Sequence, residues 1–292
     1  MYVLLGSNGQ ITSKLARLLL AAGHPVRAVG RNRNALAPLA RAGAQLAIGD
    51  PADPAFLREA FAGATAAYTM IPPCYAEPNM RRAQDRIGTS IATALGEAPV
   101  PRIVNLSSIG AELPQGTGPI EGLHAQEQRL DALGMHDLLH LRPGYFMENL
   151  LAGVADAATL EQVVGMEAAD LPMPMVATAD IAAVAARELV TPQHRGALLL
   201  HAPAHVTMRE AASAIGAALG KPALPYVQLT PEQAKPALVA QGFSADAADQ
   251  LAALARWVTS SLASTRAAPV LVQPTTIEAF ARASLAAVPQ AA

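Results

Sequence analysis

The sequence predicts an α/β fold with a doubly wound parallel sheet, and three observations carry that prediction. Over residues 1–145, short runs that are apolar throughout alternate with longer stretches of helical period. Strands buried on both faces read as unbroken apolar runs, and the intervening helices cover the sheet. The first run ends in a glycine-rich turn that leads straight into an amphipathic helix. Finally, 52 % of the 292 residues are hydrophobic and 15 % charged, enough apolar material for a large core.

The predicted strands are YVLL (2–5), VRAVG (26–30), QLAIG (45–49), TAAYTMI (65–71), RIVNLSS (102–108) and DLLHLRP (137–143). Between the first two, Ser13–Ala22 places Leu15, Leu18, Leu19 and Ala22 at helical spacing. Asp53 stands where it caps a helix holding Phe56, Leu57 and Phe61. After residue 145 the rhythm changes. A helix is expected over 148–160, then another over 181–190 behind an Asp180 cap, then the strand ALLLHA (197–202). Thr207 opens a helix through Leu219, which Gly220 and Pro222 close. A long helical stretch follows over 231–262, and Thr275 and Thr276 introduce a last helix, 277–287. The expected division is a nucleotide-binding domain over 1–149, joined by some later segments, and a smaller, mostly helical substrate-side domain over 150–292.

Composition excludes several function classes. Net charge is −2, with no basic run, which argues against nucleic acid as a partner. No apolar run reaches the roughly 18 residues of a membrane span. The N-terminus enters a strand at once, without the pattern of a signal peptide. Cys74 is the only cysteine, so an intrachain disulfide and a cysteine-rich zinc site are ruled out. A cytoplasmic protein is expected. His201 and His205 lack metal-ligand spacing with Asp180 and Glu188, while His136 and His140 flank or occupy a predicted strand, so no metal is expected. A Gly-x-Ser-x-Gly elbow is absent, against serine hydrolysis.

The turn GSNGQI (6–11) carries the chemistry. A strand, a glycine-rich turn and a helix start together make a pyrophosphate site. Gly6 permits the tight turn, and Gly9 lets the backbone approach the ligand. Asn8 and Gln10 offer side-chain donors. Thr12 occupies the place of a third glycine and, being small, shifts packing without abolishing binding. The second strand ends at Arg31, with no acidic residue there to take a ribose 2′-hydroxyl. An arginine suits a 2′-phosphate, so NADP is favoured and NAD remains possible. Asp50 ends the third strand, where it can bond the adenine amino group. Ile71 and Pro72 end the fourth, beside the adenosine ribose and the diphosphate.

GSNGQI, Arg31, Gly49-Asp50, VNLSSIGAE (104–112), HAQEQRL (124–130) and LRPGYFMENLL (141–151) together resemble the NmrA-like atypical short-chain dehydrogenases. The resemblance spans about residues 1–285 and includes MPMVATADIAAVA (173–185). It implies a Rossmann fold with one NAD(P) across the carboxyl edge of the sheet. On matching motifs, Gly6, Ser7, Asn8, Gly9, Gln10 and Ile11 hold the diphosphate. Arg31 selects the 2′-phosphate, Asp50 faces adenine, and Ser107 lies near the nicotinamide. Pro143 to Phe146 wall the nicotinamide and the substrate. The resemblance further implies relatives that are NAD(P)H-dependent quinone-type reductases, and others that are regulators without turnover.

One expected feature is missing. Short-chain dehydrogenases use a Tyr-x-x-x-Lys pair, in which lysine lowers the tyrosine pKa. The lysines here are Lys14, Lys221 and Lys235, preceded four residues earlier by Gln10, Ala217 and Pro231. Counting back from Glu127, Pro119 and Leu123 take the pair's places. Oxidising an unactivated alcohol needs a general base, whereas reducing a quinone-like or conjugated carbonyl acceptor depends mainly on positioning. A reductase of such an acceptor is therefore favoured. The alternatives are a non-catalytic NAD(P)-sensing regulator and a biosynthetic enzyme (epimerase, dehydratase or oxygenase-like) on the same fold.

His124 and Tyr145 are the candidate catalytic residues; each also reads as ordinary packing. Cys74, Ser108, Gly144, Phe146 and Met147 are candidate pocket residues. Ser107 and Ser108 equally suit local backbone bonding, and Cys74 a spectator thiol. Met147, Leu150, Met166, Met173 and Met175 suggest a pocket for a small, planar, apolar substrate as well as a plain core. A monomer or homodimer is expected.

Overall fold

The computed structural model describes residues 1–151, 161–262 and 268–286. The first half repeats one unit: β1 (Tyr2–Leu4) and α1 (Gln10–Ala21), β2 (Val26–Gly30) and α2 (Arg33–Arg41), β3 (Gln45–Ile48) and α3 (Pro54–Phe61). The same rhythm continues with β4 (Ala66–Thr69) and α4 (Met80–Glu97), then β5 (Arg102–Leu106) and α5 (Ile120–Asp131). Next come β6 (Leu138–Pro143), β7 (Tyr145–Phe146) and a 3-10 turn over Met147–Leu151. The later chain gives β8 (Val163–Gly165), β9 (Met173–Val176), α6 (Thr178–Val190), β10 (Gly196–His201), β11 (His205–Val206) and α7 (Met208–Ala218). It closes with β12 (Tyr226–Gln228), α8 (Pro231–Ala240), α9 (Ala245–Ser261), β13 (Val270–Val272) and α10 (Ile277–Leu285).

Eight strands form one sheet in the order β13-β10-β6-β5-β4-β1-β2-β3, and every neighbouring pair is parallel. The predicted doubly wound α/β sheet is thus present. Side-chain alternation divides its two faces. Leu4 points to a layer with Leu15 of α1, Leu36 of α2 and Ile181 of α6. Val3 and Leu5 point the other way, to Leu57 of α3, Ile91 of α4 and Leu130 of α5. A further core gathers Met147, Met173 and Met175 with α7, α10 and Trp257 of α9. β10 and β13 return from the late chain to the main sheet, whereas β11-β9-β7 and β12-β8 make small sheets of their own.

Several expectations are corrected. The late chain adds short strands that the sequence did not announce, because β8, β9, β11 and β12 are too brief to show a period. The helix expected over 148–160 begins instead as the 3-10 turn, and its remainder lies outside the described residues. Asp180 does not cap α6 but is its third residue, and its Oδ2 accepts from the Thr275 amide at 3.2 Å. The cap comes from Glu148, whose carboxylate accepts the Thr178 amide at 3.0 Å. The stretch 231–262 is two helices, broken where Gly242 adopts φ +93°. Thr207 does cap α7, in a reciprocal box with Glu210, and Thr276 caps α10. Of the last predicted helix, residue 287 lies outside the described residues.

A buried ion cluster ties α6 to the sheet. Glu188 is 0 % exposed, and its carboxylate accepts from Arg102 at 3.1 Å, from the Gln193 and His194 amides, and from His194 Nδ1 at 2.7 Å. Burial works to raise its pKa, but the bonds from Gln193 and His194 outweigh it and hold the carboxyl below the usual range. A depressed carboxyl adds stability that is present above the unfolded pKa and lost as pH falls through the folded one. Glu188→Gln is therefore expected to cost about 3 kcal/mol at pH 7 in urea unfolding. The gap to wild type should close as the medium is taken below about pH 4; a gap independent of pH contradicts the assignment.

Candidate functional site

Because β1 to β6 run parallel, the residues that follow their carboxyl ends share one edge of the sheet. That edge brings together the Gly6–Gly9 turn, Arg31, Asp50, Ile71 and Pro72, Ser107, and Pro143 to Phe146. The strand order reverses between β1 and β4, and open α/β sheets bind ligands in the crevice at such a reversal.

The turn after β1 has the geometry of an anion cradle. Gly6 adopts φ +69°, and a Cβ there would lie 2.6 Å from Met70 Sδ. Gly9 is the N-cap of α1, with its amide bonded to the Gly6 carbonyl at 2.8 Å. No side chain caps α1, and no acidic residue stands in its first turn. The amides opening the helix have no carbonyl one turn back, so they and the helix dipole are available to an anion. Asn8 and Gln10 are exposed at the rim, while Ser7 is buried and donates to the Leu4 carbonyl at 2.7 Å. Ser7 therefore braces the turn instead of offering its hydroxyl to a ligand. Ile11 and Thr12 are buried under the turn. These residues fit a dinucleotide diphosphate: a Cβ would spoil the turn, and the helix start lacks an internal partner.

Arg31 is exposed and makes no ion pair among the described residues. Its neighbour Asn32 is spent capping α2. Asp50 Oδ1 accepts the Ala52 amide at 3.0 Å, leaving its other oxygen outward. Gly49 has no room for a side chain, since a Cβ would sit 2.6 Å from the Phe56 ring. Cys74 is buried, donates to the Pro72 carbonyl at 3.3 Å, and burial pushes its thiol pKa up. It is held as a thiol and braces the loop after β4.

At the other end of the crevice, Ser107 is 3 % exposed and its hydroxyl has no partner. Ser108 bonds the Ile109 carbonyl, a local contact. Gly144 is filled from outside: a Cβ would meet the Pro174 carbonyl at 2.0 Å, so the glycine lets β7 lie on β9 and offers no pocket surface. Met147 is fully buried core, and Phe146 packs with the sheet. His124 Nδ1 is 2.8 Å from the Ala111 carbonyl. A carbonyl only accepts, so Nδ1 carries the hydrogen and Nε2 is left to accept or, once protonated, donate. Burial, with Glu167 and Tyr226 nearby, pushes the Tyr145 phenol well above the usual tyrosine range. Burial also raises the Glu167 carboxyl, and the Tyr226 hydroxyl donates to the Glu167 carbonyl at 2.9 Å.

The wall is fixed from behind. Arg142 donates to Glu127 at 3.0 and 2.5 Å and to Glu112 at 3.2 Å. It pins α5 and the loop after β5 to the end of β6. Burial alone would lower the Arg142 pKa, but Glu127 and Glu112 raise it overall. No group of three or more metal-ligating side chains occurs among the described residues, and no described helix is long and apolar enough to cross a membrane.

A family model described as the NmrA-like family matches residues 2–280. The chain belongs to the NmrA-like family. An NAD(P)H azoreductase of Xenophilus azovorans is 32 % identical over 259 residues, 87 % of each chain. Among solved structures, an NADPH-dependent quinone oxidoreductase of Escherichia coli in complex with NADPH aligns with TM-score 0.73 at 22 % identity, covering 98 % of this chain and all of that one. Citrobacter sp. triphenylmethane reductase complexed with NADP(H) aligns with TM-score 0.75 at 20 % identity, over the same shares.

In this NmrA-like chain the crevice edge gathers the residues selected from sequence for the cofactor. Gly144, Met147 and Ser108 are instead engaged in packing or local bonds. Glu167 and Tyr226, far from the motifs in sequence, lie beside Tyr145, a neighbourhood that no local pattern announces.

Proposed function

We propose that this protein is an NAD(P)H-dependent oxidoreductase that reduces a quinone-like, azo or otherwise conjugated acceptor, with NADP(H) as the favoured cofactor. The observation that carries the reading is the crevice edge, where the start of α1 behind Gly6 has no side-chain cap and leaves its amides to an anion. The 32 % identity to an NAD(P)H azoreductase supports the reaction class, as does the missing Tyr-x-x-x-Lys pair. A cytoplasmic monomer or homodimer acting on a small planar substrate is the setting this reading assumes.

The Gly6–Ile11 turn would hold the diphosphate through its amides, Arg31 the 2′-phosphate and Asp50 the adenine. Ser107, a buried hydroxyl with no partner, would bond the carboxamide. When bound, the nicotinamide supplies the hydride. The chain's own residues then do four things. Pro143 and Tyr145 restrict the acceptor to one face, which converts the encounter into a positioned reaction. The methionine-lined core behind them excludes water. His124 Nε2, protonated from solvent, delivers the proton that the reduced oxygen or nitrogen requires, while Ala111 keeps the ring oriented. Tyr145 stays a phenol and donates a hydrogen bond.

The test is NADPH oxidation against a panel of quinones and azo dyes. Acceptor-dependent oxidation is expected. Arg31→Ala should weaken NADPH binding by about tenfold while leaving NADH nearly unchanged, the worth of one charge-assisted contact. Equal losses for both cofactors would remove the 2′-phosphate argument. If no acceptor accelerates oxidation while NAD and NADPH bind equally, the second reading, a cofactor-sensing regulator, replaces the first; the missing proton relay is what favours it.

A further inference from the structure

Lys14 opens the second turn of α1, the helix whose start faces the crevice. Its ammonium reaches across to two other segments. Nζ donates to Thr178 Oγ1 at 2.5 Å and lies 3.3 Å from Glu148 Oε1. Thr178 is the first residue of α6 and is buried. Its hydroxyl in turn donates to Glu148 Oε1, and its amide donates to Glu148 Oε2 at 3.0 Å. Glu148 belongs to the 3-10 turn that directly follows the Pro143–Phe146 wall. One junction thus joins α1, α6 and the end of the wall. It holds the one ion pair that α1 makes among the described residues. Phe146 of the wall packs in the same layer as Ile11 and Leu15 of α1 and Ile181 of α6.

Stability alone gives little reason for this arrangement. The Lys14 side chain is 40 % exposed, and an ion pair with an exposed partner adds little to folding. Geometry gives a better one. Apolar packing among α1, α6 and Phe146 has no direction, whereas a hydroxyl that accepts from one group and donates to another fixes both. We propose that the Lys14–Glu148–Thr178 junction positions the nicotinamide for hydride transfer, by locking the cofactor-binding helix to the wall. The inference rests on the reductase reading above, in which the start of α1 holds the diphosphate and the wall borders the nicotinamide. The offset between α1 and the wall then sets where the ring comes to rest against the acceptor. Lys14 and Glu148 act through α1 and the wall, as positioning residues.

Two measurements test the proposal. The first needs no acceptor: the fluorescence lifetime of bound NADPH, which lengthens when the nicotinamide is held. Lys14→Met keeps the aliphatic stem and removes the charge. It should bind NADPH as wild type does yet shorten that lifetime, and Lys14→Arg should restore it. Glu148→Gln, whose amide oxygen can still accept from Thr178, should behave as Lys14→Met does. The second measurement is single-turnover oxidation of bound NADPH by menadione. Its rate should fall roughly tenfold in Lys14→Met, within what misplacement from a change far from the reacting atoms costs, and recover with arginine. A lifetime and a rate equal to wild type overturn the proposal and leave the reductase reading standing. A rate that falls only in step with NADPH affinity overturns it as well, since the junction would then serve binding alone. A shortened lifetime at unchanged affinity, in a protein whose wild type reduces no acceptor, rejects the reductase reading and keeps the junction as what seats the nicotinamide.

Discussion

Arg142→Met is expected to lower folding stability by about 3–5 kcal/mol, the cost of leaving a buried carboxylate without its counter-charge. Glu127 is 3 % exposed, and Arg142 holds both of its oxygens. Methionine matches the aliphatic stem but returns no charge or hydrogen bond. In a chain of this size the midpoint should fall on the order of 10 °C. Pairing the change with Glu127→Met should recover most of the loss, since replacing a whole buried pair by apolar side chains is often neutral. Thermal and urea unfolding of the single and double variants decide it. A loss below about 1 kcal/mol, the scale of an exposed ion pair, would mean the pair is solvated. Function should decline with stability, because Arg142 precedes the Pro143–Phe146 wall and pins Glu112 in the loop after β5.

Gly6→Val should abolish tight NADPH binding, with the dissociation constant rising a hundredfold or more. The backbone at Gly6 sits at φ +69°, which a β-branched residue adopts only under strain of roughly 1–3 kcal/mol. The added carbon also falls 2.6 Å from Met70 Sδ. Met70 is flexible and can yield, so the protein should fold, with the turn displaced from its cofactor geometry. Gly9→Ala is the control for folding. Gly9 has φ −75°, and its nearest obstacle is the Gly6 carbonyl at 3.2 Å. Its stability should stay within about 1 kcal/mol of wild type. NADPH fluorescence titration with circular dichroism separates the two effects. Wild-type affinity in Gly6→Val would remove the turn from the site.

Much of this was legible in the chain because it is written locally. The strands β1 to β6 read as apolar runs, and the Gly6 turn stood at the first strand end. Thr207 stood where a helix opens, and Arg31 followed the second strand. Other features were not legible, for identifiable reasons. The cap of α6 comes from Glu148, across a gap in sequence. Asp180 looked like a cap because local spacing could not reveal that competitor. Gly144 looked like pocket surface, yet Pro174 fills its space from another strand. The break at Gly242 was hidden within a stretch of good helix formers.

By itself, the sequence determined the layered parallel sheet, the glycine-rich turn after its first strand and the absence of a Tyr-x-x-x-Lys pair. Each depends on residues that are neighbours along the chain or repeat with a fixed period. Only the tertiary structure decided what closes the far end of the crevice. There His124 is turned by the Ala111 carbonyl, Arg142 is locked by Glu112 and Glu127, and Trp257 is seated on Gly110. These are contacts between segments distant in the chain. They are set by the close packing of the folded interior, which leaves no trace in local periodicity.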